Sequence, residues 1–505
     1  MSHPDRLATI ATLFGMKPQS PARCRVLELG CAMGGNLIPM AINLPGSQFL
    51  GVDLSARQIA DGRAIIEKLG LQNIELRHAS ILDVDADYGM FDYIICHGVY
   101  SWVPREAQDK ILSICSKNLN PMGVAYVSYN VYPGWHMSGM IREMMIYHAG
   151  RFSRATDRIA QARALLDFLS KSVPPQLSAY NTMLKESLDY LRNMSDAYLL
   201  HEYLEEHNEP LYFYQFIERA GAAELSFLSE SNLSEMLISR FPPEAQKTIQ
   251  KISLGDIIHV EQYMDFLGRR TFRQTLLCHQ HIPISRILQA APLHGMLVTA
   301  NFKPLSETPN YATEGPEQFK GPRGQITLTD PYVKTAMALL FKAAPMPIGF
   351  NDLCVAARKI VSRADDSSSS KEKDIQSLGN IILSCFAMGH VNLQLIPSAF
   401  TTALNEKPMA FSLARLQAET TNTVTNGRHE VATLNEFDRR VLQDLDGTHD
   451  RNSIIQFLMG LLAQGVLVAR ENNEPVQDQD RKRAILEREL PGSLKRLSDL
   501  ALIIN

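Results

Sequence analysis

Val26-Leu27-Glu28-Leu29-Gly30-Cys31-Ala32-Met33-Gly34-Gly35-Asn36 decides how the chain begins to fold. Its first four residues carry three branched apolar side chains, which suits a strand of a parallel sheet covered on both faces. The glycines that follow permit a tight turn and close approach of backbone to a ligand. Leu37, Met40, Ala41 and Leu44 then recur at helical spacing, up to a stop at Pro45-Gly46. A helix start offers unpaired N–H groups to a carboxylate or phosphate. Asp53 closes the next apolar run about twenty residues on, where a carboxylate can accept both hydroxyls of a ribose. The combination specifies a ligand that contains adenosine.

Gly30-x-Ala32-x-x-Gly35 also approximates a dinucleotide fingerprint, so a nicotinamide or flavin nucleotide competes with S-adenosylmethionine, and a glycine turn without ligand is the bland alternative. Glu28 favours S-adenosylmethionine. An acidic group there would face a pyrophosphate in a dinucleotide site, whereas a sulfonium and an ammonium would be attracted to it. The expected cofactor residues are Glu28, Gly30, Cys31, Ala32, Gly34, Asn36, Asp53 and Leu54, with Ser80 and Ile81 at the adenine and His97 beside the methyl donor. Asp83 is a weaker candidate near the adenine.

Outward from this motif, short apolar runs at 26–29, 48–52, 74–78, 91–97 and 124–129 alternate with amphipathic segments, as in a doubly wound α/β sheet. Ser55 and Gln58 spell a capping box for a helix ending at Gly70. From about 137 to 210 the pattern is helical and reads as an insertion, after which 212–222 and 224–229 restore a helix and a strand. The first domain is therefore expected to span 1–235. Residues 236–303 read as helical, and 303–324, rich in Pro, Gly and polar residues, as a linker. A helical regulatory region with this linker (236–325) and a mainly helical C-terminal region (326–505) complete the division. The run Asp365-Asp366-Ser367-Ser368-Ser369-Ser370 reads as a solvated loop.

The fourth and fifth strand candidates run into Cys96-His97-Gly98-Val99-Tyr100-Ser101-Trp102-Val103-Pro104 and Tyr129-Asn130-Val131-Tyr132-Pro133-Gly134-Trp135-His136, which hold the only two tryptophans. Ligands of a doubly wound sheet bind beyond the carboxyl ends of its strands. His97, Tyr100, Trp102, Asn130, Tyr132 and Trp135 are thus the candidate catalytic residues. A packed aromatic core is the competing reading. Aromatic faces suit a cationic acceptor or a sulfonium, at about 0.5–2 kcal/mol each.

Composition narrows the field. A net charge of −4 over 505 residues gives no basic excess for nucleic acid. No apolar run is long enough to span a membrane, and the start lacks signal-peptide form. Seven scattered cysteines without a CxxC pair fit a reducing cytoplasm rather than a disulfide framework or zinc cluster. No metal site is expected: His201 and His207 are misspaced for one helix face, and Cys278-His279-Gln280-His281 lacks a second ligand pair. Asp444-Leu445-Asp446-Gly447 reads as a turn rather than a calcium loop.

His3–Gly15 (HPDRLATIATLFG), Glu28–Ala41 (ELGCAMGGNLIPMA), His97–Pro104 (HGVYSWVP), Asn130–Ala149 (NVYPGWHMSGMIREMMIYHA), His201–Phe216 (HEYLEEHNEPLYFYQF) and Glu261–His279 (EQYMDFLGRRTFRQTLLCH) together resemble bacterial class I methyltransferases that carry a methyltransferase regulatory domain. The resemblance is specific to about residue 300 and looser beyond. It implies a Rossmann-like core that uses S-adenosylmethionine, a helical middle region that dimerises, and a C-terminal region like winged helices. It also implies N-methylation of lysine in protein substrates, outer-membrane proteins among them. Small-molecule methylation, and cofactor binding by a regulator without catalysis, remain the alternatives. Relatives carry a tyrosine- and proline-containing segment ahead of the HPDRLA motif, whereas this chain begins almost at it. A different closure of the pocket, or a shortened start, is expected. A fragment ending near residue 300 is expected to keep its cofactor affinity and to lose activity on a protein acceptor.

Overall fold

The strand, turn and helix at residues 25–43 lie at the middle of a seven-stranded sheet in the computed structural model, which describes residues 1–172, 174, 178–361, 367–471 and 474–504. Its strands are β1 (Arg25–Leu29), β2 (Gln48–Asp53), β3 (Ile74–His78), β4 (Phe91–Cys96), β5 (Leu119–Asn130), β6 (Leu225–Glu230) and β7 (Phe272–His279). They stand in the order β3-β2-β1-β4-β5-β7-β6. The first five are parallel, and β7 runs antiparallel to both β5 and β6. Chain direction across the sheet reverses between β1 and β4, and this switch point opens a crevice at their carboxyl ends.

Side chains alternate cleanly between the two faces of the sheet. Leu27, Leu29, Leu50, Val52, Ile94, Cys96, Ala125 and Val127 pack on one side with α4 (Arg105–Lys117) and α9 (Phe213–Ala222). Val26, Phe49, Leu76, Tyr93, Ile95 and Tyr126 pack on the other with α1 (Pro4–Leu13) and α2 (Leu37–Asn43). The helix α3 (Ala56–Leu69) is N-capped by Ser55, whose Oγ accepts the Gln58 N–H, and ends on Gly70 at φ +65°. Four helices follow β5: α5 (Gly134–Ala149), α6 (Ala155–Ser172), α7 (Ser178–Arg192) and α8 (Asp196–Leu204). They share their own apolar cluster, built on Ile141, Met145, Leu166, Leu184, Leu188 and Leu199.

Three expectations need correction. The sheet does not end near residue 235 but runs on to His279, so 236–303 is not purely helical. Two helices, α10 (Pro243–Ile252) and α11 (Ile257–Gly268), precede β7 there. The strand escapes an apolar pattern because its second residue, Arg273, is fully buried. That guanidinium bonds Asp265 Oδ2 at 2.8 Å, Glu230 Oε1 at 2.7 Å and Glu261 Oε2 at 3.0 Å.

Residues 303–324 are not a free linker either. They contain strands Lys303–Pro304 and Glu317–Gly321 of a three-stranded sheet. The loop between these strands is pinned by the buried Lys334, whose Nζ donates to the carbonyls of Asn310, Thr313 and Gly315 at 3.0, 2.7 and 2.9 Å. Ser367 caps the helix Ser368–Ala387, so the serines start a helix rather than form a loop; Asp365 and Asp366 lie outside the described residues.

The middle region and the sheet share one apolar core. Leu7, Ile10, Leu37 and Met40 belong to the same cluster as Val298, Phe319, Tyr332, Leu340, Phe350 and Leu378. A separate cluster, with Val441, Leu442, Ile454, Leu458, Leu490 and Leu494, organises the C-terminal, winged-helix-like domain. Asp446 Oδ1 there accepts the N–H and hydroxyl of Thr448 at 2.8 and 2.7 Å, a capped turn before Gly447 at φ +83° has turned the chain. No helix among the described residues is long and apolar enough to cross a membrane.

Candidate active site

The glycine turn after β1 is built for close approach. Gly30 and Gly34 hold φ at +73° and +78°, a region that disfavours side chains. A side chain at Gly30 would collide with Val99, and one at Gly34 would meet Leu76 and Ile38 at 3.1 and 3.2 Å. Substitution of Gly34 therefore strikes the packing under the turn rather than the ligand's space. Ala32 also adopts a positive φ, +50°, and its N–H donates to Asp53 Oδ2 at 2.8 Å. The other oxygen of Asp53 accepts the Ser55 N–H at 2.8 Å. The carboxylate is thereby fixed at the crevice with lone pairs to spare for a ribose diol.

Glu28 is buried at the end of β1. Its Oε1 accepts the Asn36 amide at 2.7 Å, while Oε2 is buried without a partner among the described residues. Burial pushes its pKa up to about 7, the Asn36 bond pulling it back and the nearby Asp53 raising it further. An unpaired carboxylate oxygen at this depth fits a cationic, hydrogen-donating ligand and would repel a pyrophosphate. The residues present therefore fit the ammonium end of S-adenosylmethionine.

Other expected cofactor residues fall into two groups. Leu54 is 73% exposed beside Asp53, an apolar face available to adenine, and His97 opens toward the crevice with its ring edge-on to Tyr126 at 5.7 Å. Ile81 is half-buried against the β4 side of the core. Cys31 points inward at Gly51, so only its backbone can meet a ligand. The Ser80 hydroxyl accepts the Leu82 N–H at 3.1 Å and Asp83 accepts the Ser80 N–H at 3.2 Å. Those side chains cap a short helix, which leaves backbone groups of this segment for the adenine amine.

Past the ends of β4 and β5 lies a cavity of about 580 Å3 that His97, Trp102, Asn130 and Trp135 line together. Trp102 stands edge-on to Trp135 at 6.1 Å and to His201 at 5.1 Å. Asn130 donates from Nδ2 to Asn208 Oδ1 at 3.2 Å, and its own N–H is held by Ser101 Oγ at 2.9 Å. The helical insertion closes the far wall with Glu186, Tyr190, Tyr198, Glu202 and Tyr203. Burial raises the Glu202 carboxyl above its usual range, against the pull of His201.

Two expected catalytic residues are not in this cavity. Tyr100 is fully buried in the core, edge-on to Phe216 at 5.2 Å and to Tyr129 at 6.0 Å, because the short helix after β4 turns its ring inward. Tyr132 stacks on His136 at 4.0 Å and leans toward Tyr212 at 5.4 Å, outside the cavity lining.

Three family models match this chain: "Methyltransferase domain" over residues 21–191, "Predicted methyltransferase regulatory domain" over 195–279, and "PKMT, C-terminal winged helix domain" over 406–502. The structure of PKMT2 from Rickettsia typhi in complex with AdoHcy is similar throughout, with a TM-score of 0.87 and 34% identity, over 100% of this chain and 98% of that one. A second structure of PKMT2 from Rickettsia typhi gives a TM-score of 0.88 at 33% identity over the same shares. The chain belongs to the PKMT family of bacterial S-adenosylmethionine-dependent protein-lysine methyltransferases. An uncharacterised protein of Rickettsia prowazekii is 35% identical over 100% of this chain and 91% of its own length. Another from that organism is 46% identical over 43% of this chain and 88% of its own.

In this PKMT the regulatory match begins in the helical insertion and ends with β7, so it supplies two strands of the catalytic sheet. Sequence reasoning missed Tyr190, Tyr198, Glu202, Tyr203 and Arg269, which line the cavity, and Asn208, which bonds Asn130. An aromatic and acidic concentration in 186–208 was the available signal. No local signal marked His429 of the C-terminal domain, whose Nε2 lies 2.8 Å from Asn36 Oδ1.

Proposed function

We propose that this PKMT transfers a methyl group to the ε-amine of lysine in a protein substrate, an outer-membrane or surface protein met before export, and works as a cytoplasmic homodimer. The observation that carries the reading is the aromatic, acidic cavity that adjoins the glycine turn. Glu186 and Glu202 attract a lysine side chain, and the faces of Trp102, Trp135, Tyr190 and Tyr198 favour its cationic head. Seven buried free thiols accord with a reducing compartment.

S-adenosylmethionine, when bound, supplies a methyl group on a positively charged sulfur. The protein's part is to hold the acceptor in line with that methyl, to exclude water and to manage one proton. Glu28 and Asp53 orient the two ends of the methyl donor. Desolvation among the aromatic rings favours loss of the lysine proton, because burial disfavours a charged ammonium. The amine's lone pair then forms the new N–C bond while the C–S electron pair returns to sulfur. His97, whose pKa burial holds below the usual histidine range, is neutral and can accept the one proton that the lysine ammonium gives up before attack, while the methylated nitrogen keeps its other two protons and its charge. Asn130, tied to Asn208 and Ser101, offers a fixed polar contact beside it.

Incubation of a purified outer-membrane protein, unfolded and folded, with the enzyme and S-adenosylmethionine tests the acceptor. Methylated lysine in the unfolded form supports the reading; methylation of carboxylates, or none in either form, rejects it.

A further inference from the structure

A hairpin of the C-terminal domain ends at Asn36, the residue that begins the helix after the glycine turn. Its strands Thr423–Thr425 and Val431–Thr433 pair antiparallel. The turn between them is organised by Asn426, whose Oδ1 accepts the N–H groups of Arg428 and Glu430 at 2.9 Å and whose Nδ2 donates to the Leu500 carbonyl at 3.0 Å. At the tip His429 holds φ at +61°, a conformation a side chain adopts at a cost of roughly 1 kcal/mol or more. That strained residue places Nε2 at 2.8 Å from Asn36 Oδ1.

The orientation of the Asn36 amide, with Oδ1 toward His429 and Nδ2 toward Glu28, sets the proton assignment along this contact. An amide oxygen only accepts, so His429 donates from Nε2; Asn36 must then present its Nδ2 to Glu28, which it does at 2.7 Å. Ser2 Oγ adds a second donor to Asn36 Oδ1 at 3.2 Å, and Asn43 Nδ2 reaches the Gly427 carbonyl at 3.4 Å. Burial pushes the His429 pKa down to about 4, so the ring stays neutral and the donor persists near neutral pH. His429 and Asn36 thus link the C-terminal domain to the Glu28 carboxylate, whose Oε2 is buried without a partner among the described residues.

We propose that His429 is a positioning residue for the cofactor: it fixes the Asn36 amide, and through it the Glu28 carboxylate, against the amino-acid end of S-adenosylmethionine, so that the C-terminal domain completes the pocket. This rests on the reading that Glu28 receives the ammonium.

The full chain is tested with two ligands, S-adenosylhomocysteine and 5′-methylthioadenosine, which lacks the amino-acid end. His429→Ala is expected to weaken S-adenosylhomocysteine about ten-fold and methylthioadenosine less than about two-fold, and His429→Gln, which keeps an N–H donor, to recover most of the loss. Equal losses for both ligands, or no loss for either, overturn the proposal. Hydrogen exchange on the wild-type chain gives an answer that needs no variant. S-adenosylhomocysteine is expected to protect the amides of 423–433 and methylthioadenosine to leave them unchanged; equal protection by both, or none, counts against the hairpin. Glu28→Gln separates the two ideas: if it leaves S-adenosylhomocysteine affinity intact, the ammonium reading has failed, whereas loss there without loss in His429→Ala rejects the hairpin's role alone.

Discussion

Asp53 Oδ2 accepts the backbone N–H of Ala32 at 2.8 Å, so the acid at the end of the second strand and the turn after the first hold each other in place. A ribose bound between them would meet a carboxylate that needs no reorganisation. Asp53→Ala is expected to cost about 1–3 kcal/mol of S-adenosylhomocysteine affinity in calorimetry, through lost charge-assisted bonds to the sugar and a loosened turn. Unchanged affinity would remove Asp53 from the site.

Glu28 gives the site a pH signature. Its folded-state pKa is raised to about 7 by burial, above the usual carboxylate value, so in the ligand-free protein its contribution to stability is greatest at low pH and declines as pH rises to about 7. A cationic ligand reverses the preference and favours the ionised form. Affinity should therefore fall as pH drops below about 7, by up to about ten-fold per unit, with proton release on binding. Glu28→Gln should flatten that dependence. Calorimetry in buffers of different ionisation enthalpy reads the proton directly, and zero release at about pH 6 would contradict the assignment.

Trp102 and Trp135 stand edge-on at 6.1 Å in the wall of the cavity proposed to take the acceptor. Leu at either position should slow methyl transfer more than it weakens cofactor binding, and Phe should be tolerated better because it keeps an aromatic face. Since these are the only tryptophans, fluorescence excited selectively at tryptophan reports on this cavity alone. Full turnover in both Leu variants, or fluorescence indifferent to cofactor and acceptor, would show that the rings only pack.

Cutting the chain near residue 300 no longer promises a working cofactor domain. The cut removes Phe319, Tyr332, Leu340 and Phe350 from the cluster that also holds Leu7 and Ile10, each buried apolar side chain contributing about 1.5–3 kcal/mol. The fragment is expected to lack a cooperative melt and to bind S-adenosylhomocysteine poorly. A sharp thermal transition with wild-type affinity would show that the two regions fold independently.

The first five strands and the glycine turn were legible because alternating apolar runs and a Gly-rich junction are local patterns. β7 was not, since Arg273 is compensated by Glu230, Glu261 and Asp265, three carboxylates from two other elements that no local window connects to it. For the same reason 303–324 looked like a linker: the partner of its carbonyls is Lys334, on a later helix. On the site, Glu28 and Asp53 stood out by spacing from the turn. Tyr100 misled because a ring beyond a strand end can turn either into the crevice or into the core, and the short helix at 100–102 turned it inward. His429 lies 393 residues from Asn36, and only the fold brings them together.

The most direct test follows the methyl group itself. The enzyme is incubated with S-adenosylmethionine labelled on its methyl carbon and an extract of bacterial protein and metabolites, and the protein fraction is then hydrolysed and analysed for methylated amino acids. Label is expected in N-methylated lysine and, at limiting S-adenosylmethionine, is expected to fall by roughly five- to 150-fold with Asp53→Ala. Label confined to small molecules, or to amino acids other than lysine, would contradict protein-lysine methylation by this chain.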